Sequence, residues 1–324
     1  MDPFSQILSG VVLKGALFFN AEFSAPWGFN APTARELATV LAPDAPHLLV
    51  YHFLVEGSGI VSLGDAAIEL EPGDVVVLPH GDAHEMCSAQ GVARKLSEAM
   101  MAKLKTRDLS AMHTGGGGEV ARFVCGFMVC DPLLCRPILQ SLPPAFKVNL
   151  RSDRSGQWLE HTLLHLVEEA ASENAGSEAV LAKLSEALFV DTLRRYLAGL
   201  PEQEVGWLAA ARDPMIGKSL MLLHSRSQHP WTLVELAREV GLSRSALAER
   251  FTRYLSEPPM AYLIRWRLKL AARALASTSR GVAEIAEDVG YESEAAFNRA
   301  FKREFGLPPA RYRNEHRTAT GFAA

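Results

Sequence analysis

One segment of this chain occurs twice in its last third, and that duplication constrains the fold more than any other feature. VELAREVGLSRSALAERFTRYLSEPPMAYL (234–263) lies over AEIAEDVGYESEAAFNRAFKREFGLPPARY (283–312), with one inserted residue near the middle of the second copy. Leu236/Ile285, Ala237/Ala286, Val240/Val289, Gly241/Gly290, Leu247/Phe297, Phe251/Phe301, Pro258/Pro308, Pro259/Pro309 and Tyr262/Tyr312 correspond. Apolar positions recurring at helical spacing around a glycine mean two copies of one supersecondary unit.

Each copy reads as a helix, a tight turn at glycine and a second helix. Thr232 and Glu235 form a capping-box pattern at the first helix, Gly241 supplies its left-handed end, and Ser243 caps the next helix. In that second helix Leu247 and Phe251 face inward, leaving Arg244, Ser245, Ala248, Glu249 and Thr252 outward. The second copy turns at Gly290, is capped near Glu292 or Ser293, buries Phe297 and Phe301, and presents Glu294, Ala295, Asn298, Arg299 and Lys302. Between the copies PPMAYLIRWRLKLAARALAS (258–277) begins with proline and continues in good helix formers, which predicts one rod of roughly 25 Å. Such a rod can hold two helices near the ~34 Å spacing of successive major-groove faces.

Charge separates this region from the rest. Residues 1–205 hold 15 Lys+Arg against 25 Asp+Glu, a net of −10, whereas residues 206–324 hold 18 against 12, a net of +6. Basic charge confined to one domain fits a polyanion-binding module, although it also fits a solvated face. With 48% hydrophobic residues the 324-residue chain has ample core for about two domains. No apolar run reaches the roughly 20 residues of a membrane span, and MDPFSQILSG lacks the features of a secretion signal. Four cysteines are too few for a disulfide framework, so a cytoplasmic protein with reduced thiols is expected.

GLSRSALAERF, EPPMAYLIRWRL and IAEDVGYESEAAFNRAFKREFGLPPARYR together resemble the DNA-binding domain of AraC/XylS-type transcriptional regulators over about residues 207–317. That resemblance implies double-stranded DNA as partner; a small-molecule effector, a homodimer paired through the helix near 178–200 and contact with RNA polymerase are expected as well. It also implies that Ser245, Ala248 and Glu249 face bases in the first unit, and Glu294, Ala295, Asn298 and Arg299 in the second. The family's arginine before the last aromatic is Arg299 in the second unit but Glu249 in the first. A carboxylate there can accept from cytosine N4 but repels phosphate.

The first 130 residues read differently, as short β-branched strands: LLVYHFLV (48–55), GIVSL (59–63), AAIEL (66–70), DVVVLP (74–79) and ARFVCGFMVC (121–130), the pattern of a small barrel or sandwich. Residues 89–119 read as an irregular or partly helical excursion ending in the turn Gly115 to Gly118. GDVVVLPHGDAH fits the second cupin motif at Gly73, Pro79, Gly81 and His84. At the first motif His52 falls where cupin enzymes carry a glutamate ligand and His47 at one of the two histidine positions, while Ala45 occupies the other; His47, His52 and His84 can meet inside the barrel and bind a divalent metal. Buried, hydrogen-bonded core histidines are the alternative. Cys87 and Cys125 are thiol candidates, as sensor or ligand, for the same pocket, with strand packing the alternative for Cys125. Together with HFLVEGSG and VCGF, these segments resemble the cupin-type sensory domain of one branch of the same regulators over about residues 3–145.

After Asp131-Pro132 the pattern turns helical, in 157–170 and 178–200, with SENAGSE (172–178) as the turn between. Leu181, Leu184, Leu188, Val190, Leu193 and Leu197 form a broad apolar face in the second helix, either packed on its own domain or pairing two protomers.

The expected fold is therefore α+β: a cupin-like β-barrel for sensing or ligand binding (1–150), a helical linker and dimerisation region (151–206), and an all-α domain with two helix-turn-helix units (207–324). The expected function is a one-component, DNA-binding transcriptional regulator, not an enzyme, whose barrel senses a small molecule, metal or oxidant. A metal-dependent cupin enzyme fused to a DNA-binding module is the alternative, and a purely architectural DNA-binding protein a third reading.

Overall fold

The computed structural model describes residues 13–43, 45, 47–92, 102–103, 105–106, 110–170, 176–201 and 203–316. Contacts divide the chain into two compact units, one made of Leu13–Cys130 with Leu142–Gly199, the other of Asp131–Ser141 with the chain from Leu200 onward. The region 151–206, expected as a helical linker, is divided between the two units at Gly199/Leu200. Its two long helices join the barrel unit, and the short segment 131–141 joins the tail unit.

In the barrel unit ten strands are described: β1 (Leu13–Ser24), β2 (Gly28–Ala31), β3 (Leu48–Glu56), β4 (Gly59–Leu63), β5 (Ala66–Leu70), β6 (Asp74–Leu78), β7 (His84–Cys87), β8 (Met112–Gly115), β9 (Val120–Cys130) and β10 (Phe146–Asn149). They form a six-stranded sheet in the order β10-β6-β3-β9-β1-β8 and a four-stranded sheet in the order β2-β7-β4-β5. Among the described strands only the β1–β8 pairing is parallel. β3 and β6 are buried along nearly their whole length, so they read as continuous apolar runs. The gap between the sheets holds an aromatic cluster: Phe23 stacks on Trp27 at 4.9 Å between centroids and lies 5.4 Å from Phe29, while Trp27 meets the edge of Phe123 at 5.6 Å.

Five of these strands fall where the short β-branched runs place them, and five do not. β8 falls in the segment 89–119 read as irregular or partly helical, in which residues 102–103 and 105–106 are helical; residues 93–101, 104 and 107–109 of that segment lie outside the described residues, as does most of the turn at 172–178. Helix α1 (Ala34–Leu41), also unforeseen, starts at a full capping box between Thr33 and Glu36. Helix α2 (Pro132–Leu139), in the tail unit, is capped by Asp131, whose side chain accepts from the Leu133 N–H at 2.9 Å.

The two long helices, α3 (Arg154–Ala170) and α4 (Ser177–Ala198), pack on each other, and α4 lies against β1. Leu181, Leu188, Leu193 and Leu197 are buried there. Of the face read either as packed on its own domain or as pairing two protomers, these four leucines are thus covered by this chain's own barrel, while Leu184 and Val190 are half-buried. Tyr51 shows how tightly the helix is seated: its hydroxyl lies 2.5 Å from Ser185 Oγ. The ring passes directly over Gly126, its partner in the β3–β9 register, where a Cβ would fall 2.1 Å from the hydroxyl. The glycine of VCGF is thus required by this close approach.

The tail unit is helical: α5 (Trp207–Arg212), α6 (Pro214–Ser225), α7 (Leu233–Val240), α8 (Arg244–Leu255), α9 (Pro259–Ser277), α10 (Val282–Asp288), α11 (Glu294–Phe305) and α12 (Pro309–His316). The rod α9 has 19 residues, or roughly 28 Å at 1.5 Å per residue. α7 with α8 and α10 with α11 are the two copies of the repeat. Leu247 and Phe251 in one, and Phe297 and Phe301 in the other, are the fully buried anchors, as the repeat pattern requires. Only half of the expected capping box at α7 forms. Thr232 accepts from the Glu235 N–H at 3.2 Å, but the Glu235 carboxylate turns to His229 Nε2 at 2.8 Å instead of to the Thr232 backbone.

Candidate functional site

Two constellations carry chemistry, one in each unit. In the tail unit, Ser243 caps α8 by accepting from the Ala246 N–H and Ser293 caps α11 by accepting from the Ala296 N–H. With the helices fixed by their caps and phenylalanines, Arg244, Ser245 and Glu249 are exposed on α8 and Ala248 is half-buried beside them. On α11, Glu294, Ala295, Arg299 and Lys302 are exposed and Asn298 is half-buried. The side chains of Arg244, Glu249, Arg299 and Lys302 make no hydrogen bond or ion pair with another described residue, whereas Arg250, one position on from Glu249, is fully engaged.

Arg250 donates through Nε (2.8 Å) and a terminal nitrogen (2.5 Å) to Asp213 Oδ2, while Asp213 Oδ1 accepts from the Met215 and Ile216 N–H groups at the start of α6. Burial on its own would raise the Asp213 carboxyl, but the Ile216 and Met215 amides and the Arg250 guanidinium outweigh it and hold the group below its ordinary value. The carboxylate thus bolts α8 to α6. Asp213-Pro214 is a legible cap-and-proline signature of a helix start; the long-range pairing with Arg250 has no sequence signal.

In the barrel unit, His52 on β3 and Cys125 on β9 are directly opposed across the antiparallel ladder, and His84 reaches them from the other sheet. His52 Nδ1 lies 2.8 Å from Cys125 Sγ, His52 Nε2 lies 2.7 Å from His84 Nε2, and His84 Nδ1 lies 3.1 Å from the Asp82 carbonyl. A carbonyl only accepts, so one neutral arrangement satisfies every partner: His84 Nδ1–H donates to Asp82, His52 Nε2–H donates to His84 Nε2, and the Cys125 thiol donates to His52 Nδ1. All three side chains are buried. Desolvation, with His84 close by, pushes His52 well below the ordinary histidine value; His84 is lowered chiefly by desolvation, and burial drives the Cys125 thiol up. An undissociated thiol is a poor nucleophile.

The expected three-histidine cluster does not form. His47 Nε2–H donates to the Pro79 carbonyl at 2.9 Å and is absent from the chain of hydrogen bonds, and Cys87, although buried on β7, bonds neither histidine. Two nitrogens bound to one tetrahedral ion at ~2.1 Å would stand roughly 3.4 Å apart. At 2.7 Å His52 and His84 are instead hydrogen-bonded to each other. Among the described residues no group of three or more His, Cys, Asp or Glu side chains is placed to hold a metal. The pair His52/His84 was legible from the cupin spacing, and Cys125 was a candidate for the same pocket; that Cys125 and not His47 or Cys87 meets His52 is decided by strand register.

The duplicated helix-turn-helix with two uncommitted outward faces, on the same chain as a cupin-like double sheet, defines a DNA-binding transcriptional regulator. Comparison with known proteins agrees. A family model described as Cupin matches residues 2–198, and one described as Helix-turn-helix domain matches residues 236–315. A putative AraC-like transcription regulator of Streptomyces antibioticus is 31% identical over 272 residues, covering 83% of this chain and 88% of the relative. The HTH-type transcriptional regulator AlkR of Acinetobacter baylyi is 28% identical over 97% of this chain and 100% of its own length, and the RCS-specific HTH-type transcriptional activator RclR of Escherichia coli 26% identical over 98% and 99%. The DNA-binding domain of AdpA, solved with a target DNA, is 27% identical over 34% of this chain and 99% of that one, with a TM-score of 0.32. The chain belongs to the AraC-like transcriptional regulators that carry an N-terminal cupin domain. Among the described residues no helix is long and apolar enough to cross a membrane.

Proposed function

We propose that this chain is a one-component regulator that grips duplex DNA through two successive major-groove segments, with α8 and α11 as the reading helices, and that its cupin domain answers a small-molecule effector. The observation that carries the reading is the pair of capped helices, repeated on one basic unit, whose outward Arg244, Glu249, Arg299 and Lys302 side chains are committed to no other described residue. Groups left free in this way on a repeated face suit base edges and phosphates. Footprinting of the full-length protein on the DNA upstream of its own gene tests it: two protected segments about one helical turn apart are expected, and a single segment, or none, contradicts it.

The enzyme alternative has less support. Metal-dependent catalysis needs an ion with an open position, and the histidines that would hold it are saturated by one another, by Cys125 and by the Asp82 carbonyl. In our reading His52, His84 and Cys125 form a neutral strut between the sheets, and none acts as an acid, base or ligand. A homodimer and contact with RNA polymerase belong to the same proposal, with the dimer formed by a surface other than the leucine face of α4.

A further inference from the structure

We propose that Arg267, on the rod α9, is the positioning residue that fixes the spacing of the two reading helices. The inference rests on the DNA-binding reading above and adds to it a determinant that lies away from both reading helices. The Arg267 guanidinium donates to three backbone carbonyls: Nε to Ser227 at 2.6 Å, one terminal nitrogen to His229 at 2.8 Å and the other to Gly290 at 3.2 Å. Ser227 and His229 lie in the loop that leads into α7, the first helix of the first unit. Gly290 is the turn residue between α10 and α11 in the second. One side chain therefore ties both units to the rod and to each other.

The two copies of the repeat differ at this point. Gly241 and Gly290 both take the left-handed conformation that ends a helix, with φ of 76° and 84°. Around Gly241 there is open space, but a Cβ on Gly290 would stand 2.8 Å from an Arg267 nitrogen and 2.8 Å from the Gln228 carbonyl. The first turn is free and the second is pressed against the first unit's loop with the guanidinium between. A planar fork of donors matches three carbonyls in fixed directions, which an ammonium does not. Because the carbonyls belong to loops and not to helix interiors, these bonds set how the units sit on the rod and leave each unit's phenylalanine core untouched.

The test uses the full-length protein, the site footprinted upstream of its own gene, and the same site with one base pair inserted between the two protected segments. One base pair turns the second segment by about 35° relative to the first, and a rigid reader loses at least about tenfold in affinity. The expected result for Arg267→Gln is binding to the original site within about tenfold of the parent, with the insertion penalty reduced to about threefold or less. Arg267→Lys, which keeps the stem and the charge but not the fork, is expected to fall between the two. A residue that only stabilised the fold would lower the melting temperature and leave the insertion penalty as in the parent; that result overturns the proposal, as does a parent indifferent to the insertion. Loss of cooperative melting in both variants overturns it too, because Arg267 would then hold the fold and not the spacing. A parent that protects no DNA defeats the DNA-binding reading itself, before any variant is compared.

Discussion

At the scale of single residues, the balance between burial and charge decides what each polar group does. His52 and His84 bury two imidazoles against a thiol and keep them neutral, so each binds fewer protons folded than unfolded below the ordinary histidine value of 6.5. Their contribution is complete above that pH and is lost as pH falls toward their lowered folded values, by up to about 1.4 kcal/mol per pH unit for each histidine. His224 in the tail unit, pushed to about 3 by burial and by Lys269, acts in the same direction. Melting curves should therefore show stability falling from pH 7 to 5, and His52→Phe with His84→Phe should flatten that slope without abolishing the part due to His224. A parent melting temperature constant over this range contradicts the neutral strut. Arg299 is the counterpart on the surface. Arg299→Ala should cost on the order of 1–3 kcal/mol of DNA binding and relax preference at one base pair if it reads a base edge, and weaken all sequences alike if it touches phosphate. An unchanged affinity and preference removes α11 from the groove. The outward positions of Arg299 and its neighbours were legible from the repeat because helical periodicity separates faces directly. The partners of Arg250 and Arg267 were not, since both lie far away in sequence.

At the scale of elements, what a helix packs against overrides what its pattern suggests. The leucine stripe of α4 has the breadth of a pairing surface, yet β1, β9 and β10 and helix α3 supply the covering apolar surface within one chain. Leu193, fully buried, should behave as a core residue: Leu193→Ala is expected to cost roughly 2–5 kcal/mol of stability and to leave the sedimentation behaviour that of the parent. A stable variant whose association state changes would return the stripe to an interface. Strands β3, β4, β5, β6 and β9 were legible because β-branched runs end at glycine or proline. Strands β1, β2, β7, β8 and β10 escaped for local reasons: β2, β7, β8 and β10 have four residues each, too short for alternation to register, and β1 carries Asn20 and Glu22 within its run.

At the scale of the whole molecule, the division of charge follows the division of labour. The body to residue 205 carries a net −10 and the tail a net +6, so a chain acidic overall presents one basic unit to DNA. The duplication, the charge step and the cupin spacing together made the regulator legible in the sequence. The Arg267 side chain that bonds backbone carbonyls beside both copies of the repeat became visible only in the fold. The central claim, that the tail neutralises phosphates at two successive grooves, is tested most directly by titrating the full-length protein, by fluorescence anisotropy, onto its own upstream DNA at a series of salt concentrations. The account predicts that log K falls linearly with log salt, with a slope of about −0.9 for each phosphate neutralised. Binding that is independent of salt, or no tighter than that of an acidic control protein, would contradict it.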